Sequence, residues 1–137
     1  MTRHDIPYSE IDANMRNLVR ILNLYPYVET IGCCGGHAEQ TNLSQYPEGS
    51  FYVKLTISPL RAARYALEHL AWAINNDYRR SGHAVVFMPT APPPYLNTPG
   101  ECMHWVIEGD DEDPDELATA LRMYLDYLVP KAYGVRS

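Results

Sequence analysis

Five consecutive positions in the stretch TIGCCGGH hold Cys33, Cys34, the pair Gly35-Gly36 and His37. Thiols and an imidazole at this spacing support three chemistries. In the first, Cys34-x-x-His37 is half of a tetrahedral zinc set, completed by the second thiolate and imidazole of Cys102-x-His104. In the second, Cys34 is a nucleophile assisted by His37, His104 or Lys54, with glycine N–H groups stabilising an oxyanion. Any catalytic role then falls on Cys34, His37 and His104. In the third, Gly35 and Gly36 let successive backbone N–H groups converge on an anion as a nest, and the site captures a ligand without chemistry. A plain tight turn also accounts for the glycine pair.

The elements that must position these residues are legible from periodicity. Ile11, Met15, Leu18, Val19 and Leu22 recur at helical spacing, with Ser9 and Asp12 in a capping-box arrangement, and predict a helix over about 10–24. YVETIGCC follows as a short strand ended by the glycines. FYVKLTI alternates Phe51, Val53, Leu55 and Ile57 with Tyr52, Lys54 and Thr56, the pattern of a half-buried strand. Ser58-Pro59 opens a second helix reaching Asn76 or Arg80, with Leu60, Ala63, Leu67, Leu70, Ala71 and Ile74 as its apolar stripe. HAVVFMP and ECMHWVIE are the third and fourth strands, and Asp113-Pro114 starts a last helix through Leu128.

The order α-β-β-α-β-β-α predicts an α+β fold in one domain, residues 1–137. A crossover between strands two and three, with hairpins elsewhere, gives a two-layer, four-stranded, mainly antiparallel sheet, a permuted ferredoxin-like plan. In that arrangement the end of strand one, the start of strand two, the end of strand three and the start of strand four are expected at one edge. Strand parity turns Ile31, Cys33, Met103, Trp105 and Ile107 inward and Thr30, Cys34, Tyr52, Lys54, Cys102 and His104 outward. The favoured site is therefore a ligand pocket. Cys34, Gly35, Gly36 and His37 form its turn, Tyr52 and Lys54 its floor, and Tyr95, Cys102 and His104 its opposite wall. Its expected occupant is a polar or anionic, nucleotide-like small molecule, held for sequestration or regulation. A metal- or thiol-dependent enzyme on the same cluster is the alternative. A protein-interaction module, such as an inhibitor or homodimer acting through the open sheet face, is a third.

Composition narrows the partners. A net charge of -6, concentrated in EGDDEDPDE, repels a phosphate backbone and disfavours general nucleic-acid binding. Three cysteines without an export signal fit reduced thiols and a cytoplasmic protein, and no apolar run approaches the roughly 20 residues that span a bilayer. Eleven tyrosines against two phenylalanines supply rings with a polar edge. The remaining conspicuous residues have plain explanations: PPPY as a stiff loop, His69 on a helix surface, His83 at a strand edge, and the acidic run as first-turn charge on a helix dipole.

IDANMRNLVRILNLYPYVETIGCCGGH also resembles the helix, strand and Ser-Cys-Ser-Gly-Arg turn of the wybutosine-synthesising family of tRNA-modifying proteins, over less than a quarter of the chain. It is similar, more loosely, to small bacterial and phage proteins with a Cys-x-Gly-His turn. The resemblance implies an α+β fold with a functional turn at Cys33-Cys34, His37 standing where the family has arginine. The family activity is S-adenosylmethionine-dependent methylation of a tRNA base, and only the location of the site is carried over.

Overall fold

The computed structural model describes residues 8–39, 45–91 and 103–132, with side chains of the last helix described as far as Asp126. Two 3-10 turns, Tyr8–Glu10 and Ala13–Met15, lead into α1, Arg16–Leu22. Strand β1, Val28–Cys34, precedes β2, Ser50–Ile57. Helix α2, Arg64–Leu70, widens into a π-helical segment, Ala71–Tyr78, and a 3-10 turn ends it at Gly82, whose φ of 101° suits the left-handed reversal. Strands β3, Val85–Pro89, and β4, Met103–Asp110, are followed by α3, Pro114–Ala132. The fold is α+β, and helix, strand and crossover order match the sequence expectation.

All strand neighbours are antiparallel, and the sheet order is β1-β2-β4-β3. This is the neighbour order of a circularly permuted ferredoxin-like sheet, with α3 as the added element. Phe51, Val53, Leu55, Ile57, Val85, Phe87 and Ile107 face the helices and join Leu18 and Leu22 of α1 and Leu117, Leu121 and Leu125 of α3 in one core. Burying each such side chain contributes about 1.5–3 kcal/mol relative to exposure. The last helix packs against α1 and the π-helical segment, on the same side of the sheet. At its start Asp113 accepts the Asp115 N–H at 2.9 Å, the capping role read from Asp113-Pro114.

Two asparagines, one just after α1 and one on the π-helical segment, reach the outer strands. Asn75 donates to the Phe87 carbonyl and accepts the Phe87 N–H, both at 2.8 Å. Asn23 accepts the Thr30 N–H at 3.2 Å and donates to the Thr30 hydroxyl at 2.9 Å.

His83 lies just before the edge strand β3, as expected, whereas His69 departs from its expected helix-surface role. His83 contacts Glu112 at 2.8 Å through Nδ1 and Glu116 at 3.5 Å through Nε2, with its ring stacked 3.9 Å from Tyr78, so part of the acidic run clamps the start of β3 to α3. His69 packs between the rings of Tyr25, 5.2 Å away, and Tyr124, 6.4 Å away, and both its ring nitrogens are buried without a hydrogen-bond partner among the described residues. Burial therefore lowers its pKa below the ordinary histidine value. A depressed pKa means that the folded chain favours the neutral ring. Its stabilising contribution is present above the unfolded value and is lost as pH falls toward the folded one. The expected result is that urea denaturation loses less stability in His69→Leu than in wild type on going from about pH 7.5 to about pH 5.5. An equal loss in both proteins would remove His69 from the acid response.

Candidate metal site at the end of the first strand

Pairing register decides which cysteine meets the core. Val28 and Thr30 pair with Ile57 and Leu55, both facing the helices, and then the register slips between Thr30 and Gly32. The extra residue, Ile31, is a bulge, and beyond it the alternation reverses. Cys33 thus pairs with Val53 and packs on the core, while Cys34 pairs with Tyr52 on the other face. Parity correctly separates the two cysteines. It fails for Thr30, whose hydroxyl meets Asn23 on the helix side, and for Ile31, because an uninterrupted strand was assumed. Burial first, then Coulombic repulsion from Asp12 and Cys34, push the Cys33 thiol up to about 11, which keeps it protonated at neutral pH.

Cys34 is 3% exposed and accepts two backbone N–H groups at sulfur, from Tyr46 at 3.3 Å and Gly36 at 3.5 Å. The Gly35 N–H donates to Asp12 Oδ2 at 2.8 Å, and Asn14 donates to the Gly35 carbonyl at 2.9 Å. Neither glycine N–H points at an outside anion, since the chain's own carboxylate and sulfur occupy both. His37 is held by its N–H to the Tyr46 carbonyl at 2.8 Å, and its Nε2 lies 3.3 Å from Asp12 Oδ2. One donor atom each from Asp12, Cys34 and His37 lie within 4.8 Å of one another. Zinc bonds of about 2.0–2.3 Å place tetrahedral donors about 3.3–3.8 Å apart, so the His37–Asp12 separation already suits two ligands of one ion. Asp12 and His37 keep 36% and 32% of their side-chain surface exposed, leaving an approach from solvent.

Asp12 was missed as a site residue because a capping role was assigned to it. In the structure it makes no side-chain cap hydrogen bond, and α1 begins later than expected, at Arg16. The signal was available: a capping box uses glutamate or glutamine at its far position, and the shorter aspartate leaves its carboxylate free for another partner.

Tyr52 pairs with Cys34, and Lys54, two residues further along β2, pairs with Gly32. The Lys54 ammonium lies 5.8 Å from the Tyr52 ring centroid, and Tyr46 covers that ring at 4.6 Å. Cys34, Tyr52 and Val106, with Tyr46 against them, form a second apolar cluster, so this end of the outer face is covered. The Tyr46 hydroxyl donates to Glu108 at 2.8 Å, and burial first, then that bond, push its pKa up to about 12.

His104 does not join the site. It pairs with Thr56, whereas Tyr52, the partner of Cys34, pairs with Glu108. Four residues of strand separate the two levels, about 13 Å at about 3.3 Å per residue, in addition to two strand spacings of about 4.8 Å. The expected convergence of strand ends is therefore corrected. β2 and β3 both run antiparallel to β4 and hence parallel to each other, so β3 begins, and β4 ends, at the level of Cys34. A zinc set or wall combining Cys34 and His37 with His104 is excluded by that distance. Tyr95 and Cys102 lie outside the described residues. Comparison with protein-family models, with curated proteins and with solved structures returned no match.

Proposed function

We propose that the protein binds zinc through Asp12, Cys34 and His37 and is a metal-dependent enzyme of the hydrolytic class. The carrying observation is the approach of these three donors to within 4.8 Å, from segments 22 residues apart in sequence at Asp12 and Cys34. A carboxylate, a thiolate and an imidazole match the donors that zinc takes from proteins, and three protein ligands leave a fourth position for water or substrate, as in catalytic sites. Zinc held by Asp12, Cys34 and His37 would lower the pKa of a bound water to near 7 and polarise carbonyl or phosphoryl oxygens. The backbone N–H groups at Cys34 and the Gly35 N–H at Asp12 orient those two ligands, the role of outer partners in metal sites. Thiol catalysis at Cys34 is less well supported, because a nucleophile must meet its electrophile and this sulfur is almost wholly enclosed.

The test is titration of chelator-stripped full chain with Co(II) in reducing buffer. One equivalent should produce the visible bands of four-coordinate Co(II) and a thiolate charge-transfer band, both abolished by stoichiometric zinc. A pale octahedral spectrum without the thiolate band would reject the site.

A further inference from the structure

A cleft of ≈ 530 Å³ opens at the same end of the sheet, over the starts of β2 and β3 and the end of β4. Its volume lies in the range of small-molecule sites, about 300–1,000 Å³. Tyr46 belongs to both places: its N–H touches the Cys34 sulfur, its hydroxyl holds Glu108, and the residue lines the cleft. The metal site is thus next door, and none of the cleft's polar groups is a metal ligand.

The charges lining the cleft are Glu108, Asp110 and Arg79. Each carboxylate is held by one hydroxyl, Glu108 by Tyr46 at 2.8 Å and Asp110 by Ser50 at 3.0 Å, and among the described residues the second oxygen of each has no partner. Among the described residues no ion pair joins Arg79 to either one. Glu108, Asp110 and Arg79 line one concave space together with Val86 and Tyr46. An anion there would meet two negative groups, and a dication would meet Arg79. A molecule carrying both an ammonium group and a carboxylate satisfies both.

We infer that this cleft binds a zwitterionic amino compound of the amino-acid or dipeptide class, its ammonium group on Glu108 and Asp110 and its carboxylate on Arg79. The apolar side then packs on Val86 and Tyr46. Binding is independent of the metal, whereas hydrolysis of such a compound would rest on the zinc reading.

Calorimetric titration of the full chain with three six-carbon probes separates the terms: L-norleucine with both charges, n-hexylamine with only the cation, and hexanoate with only the anion. Norleucine should bind most tightly. Arg79→Ala should weaken norleucine by at least about 10-fold, the loss expected for a charge-assisted hydrogen bond, and leave hexylamine unchanged. Asp110→Asn should weaken norleucine and hexylamine alike. Zinc stoichiometry should be unaltered in both variants, so failure of the cleft is distinguishable from failure of the metal site. Absence of norleucine binding, equal binding of hexanoate, or insensitivity to both substitutions would overturn the inference.

Discussion

Replacing Cys34 with serine should weaken zinc binding by more than about 100-fold, because loss of even an outer partner of a metal ligand costs about 10–100-fold. Serine keeps the size of the side chain and can still accept the Gly36 and Tyr46 N–H groups, so the fold at the end of β1 should persist. The soft, anionic donor is what disappears. Cys33→Ser is the matched control. It alters the adjacent residue, but one that faces the core with its thiol held protonated, and it should leave zinc affinity within a few-fold of wild type while lowering stability. Competition against a chromophoric chelator reads both affinities. Equal losses in the two variants, or no loss in Cys34→Ser, would show that the sulfur is not a ligand.

Gly36→Ala should destabilise the chain by about 2–4 kcal/mol, the sum of a disfavoured backbone conformation and an overpacked contact. Gly36 sits at φ +92°, and a Cβ there would lie 2.6 Å from the Ser50 carbonyl oxygen and 2.8 Å from that of Pro47. Both are main-chain atoms and cannot rotate away. The turn must move, taking its N–H from the Cys34 sulfur and shifting His37, so zinc affinity should fall with stability. Gly49→Ala separates the two contributions. Its φ is also +92°, but nothing lies within 4 Å of the added carbon, so only the backbone cost of about 1–2 kcal/mol applies. Urea denaturation of the two variants should therefore give clearly different midpoints. Equal midpoints would mean that the loop yields to the methyl group without strain.

The chain's local code made the element order readable: alternation marked β2, proline after aspartate marked the start of α3, and the turn after β1 drew attention to Cys34 and His37. What escaped was set at long range. A bulge adds one residue to one strand without changing residue types, so periodicity alone does not disclose the switch at Ile31. Asp12 completes the site only because the turn before α1 lies against the turn after β1, a contact across 23 residues. The misplaced His104 had a different cause. Once β2 and β3 are joined by a crossover and run parallel, their starts lie together, and the β3–β4 connection must leave from the far end.

The asparagines just after α1 and on the π-helical segment have a consequence for association. Both outermost strands would otherwise present bare main-chain groups to solvent, the template on which foreign strands add. Asn75 reproduces the paired donor and acceptor that an incoming strand would supply at Phe87, and Asn23 takes the N–H at Thr30. A visiting strand would have to displace an amide already held by its own helix. The sheet therefore discourages its own extension in mid-strand on both sides.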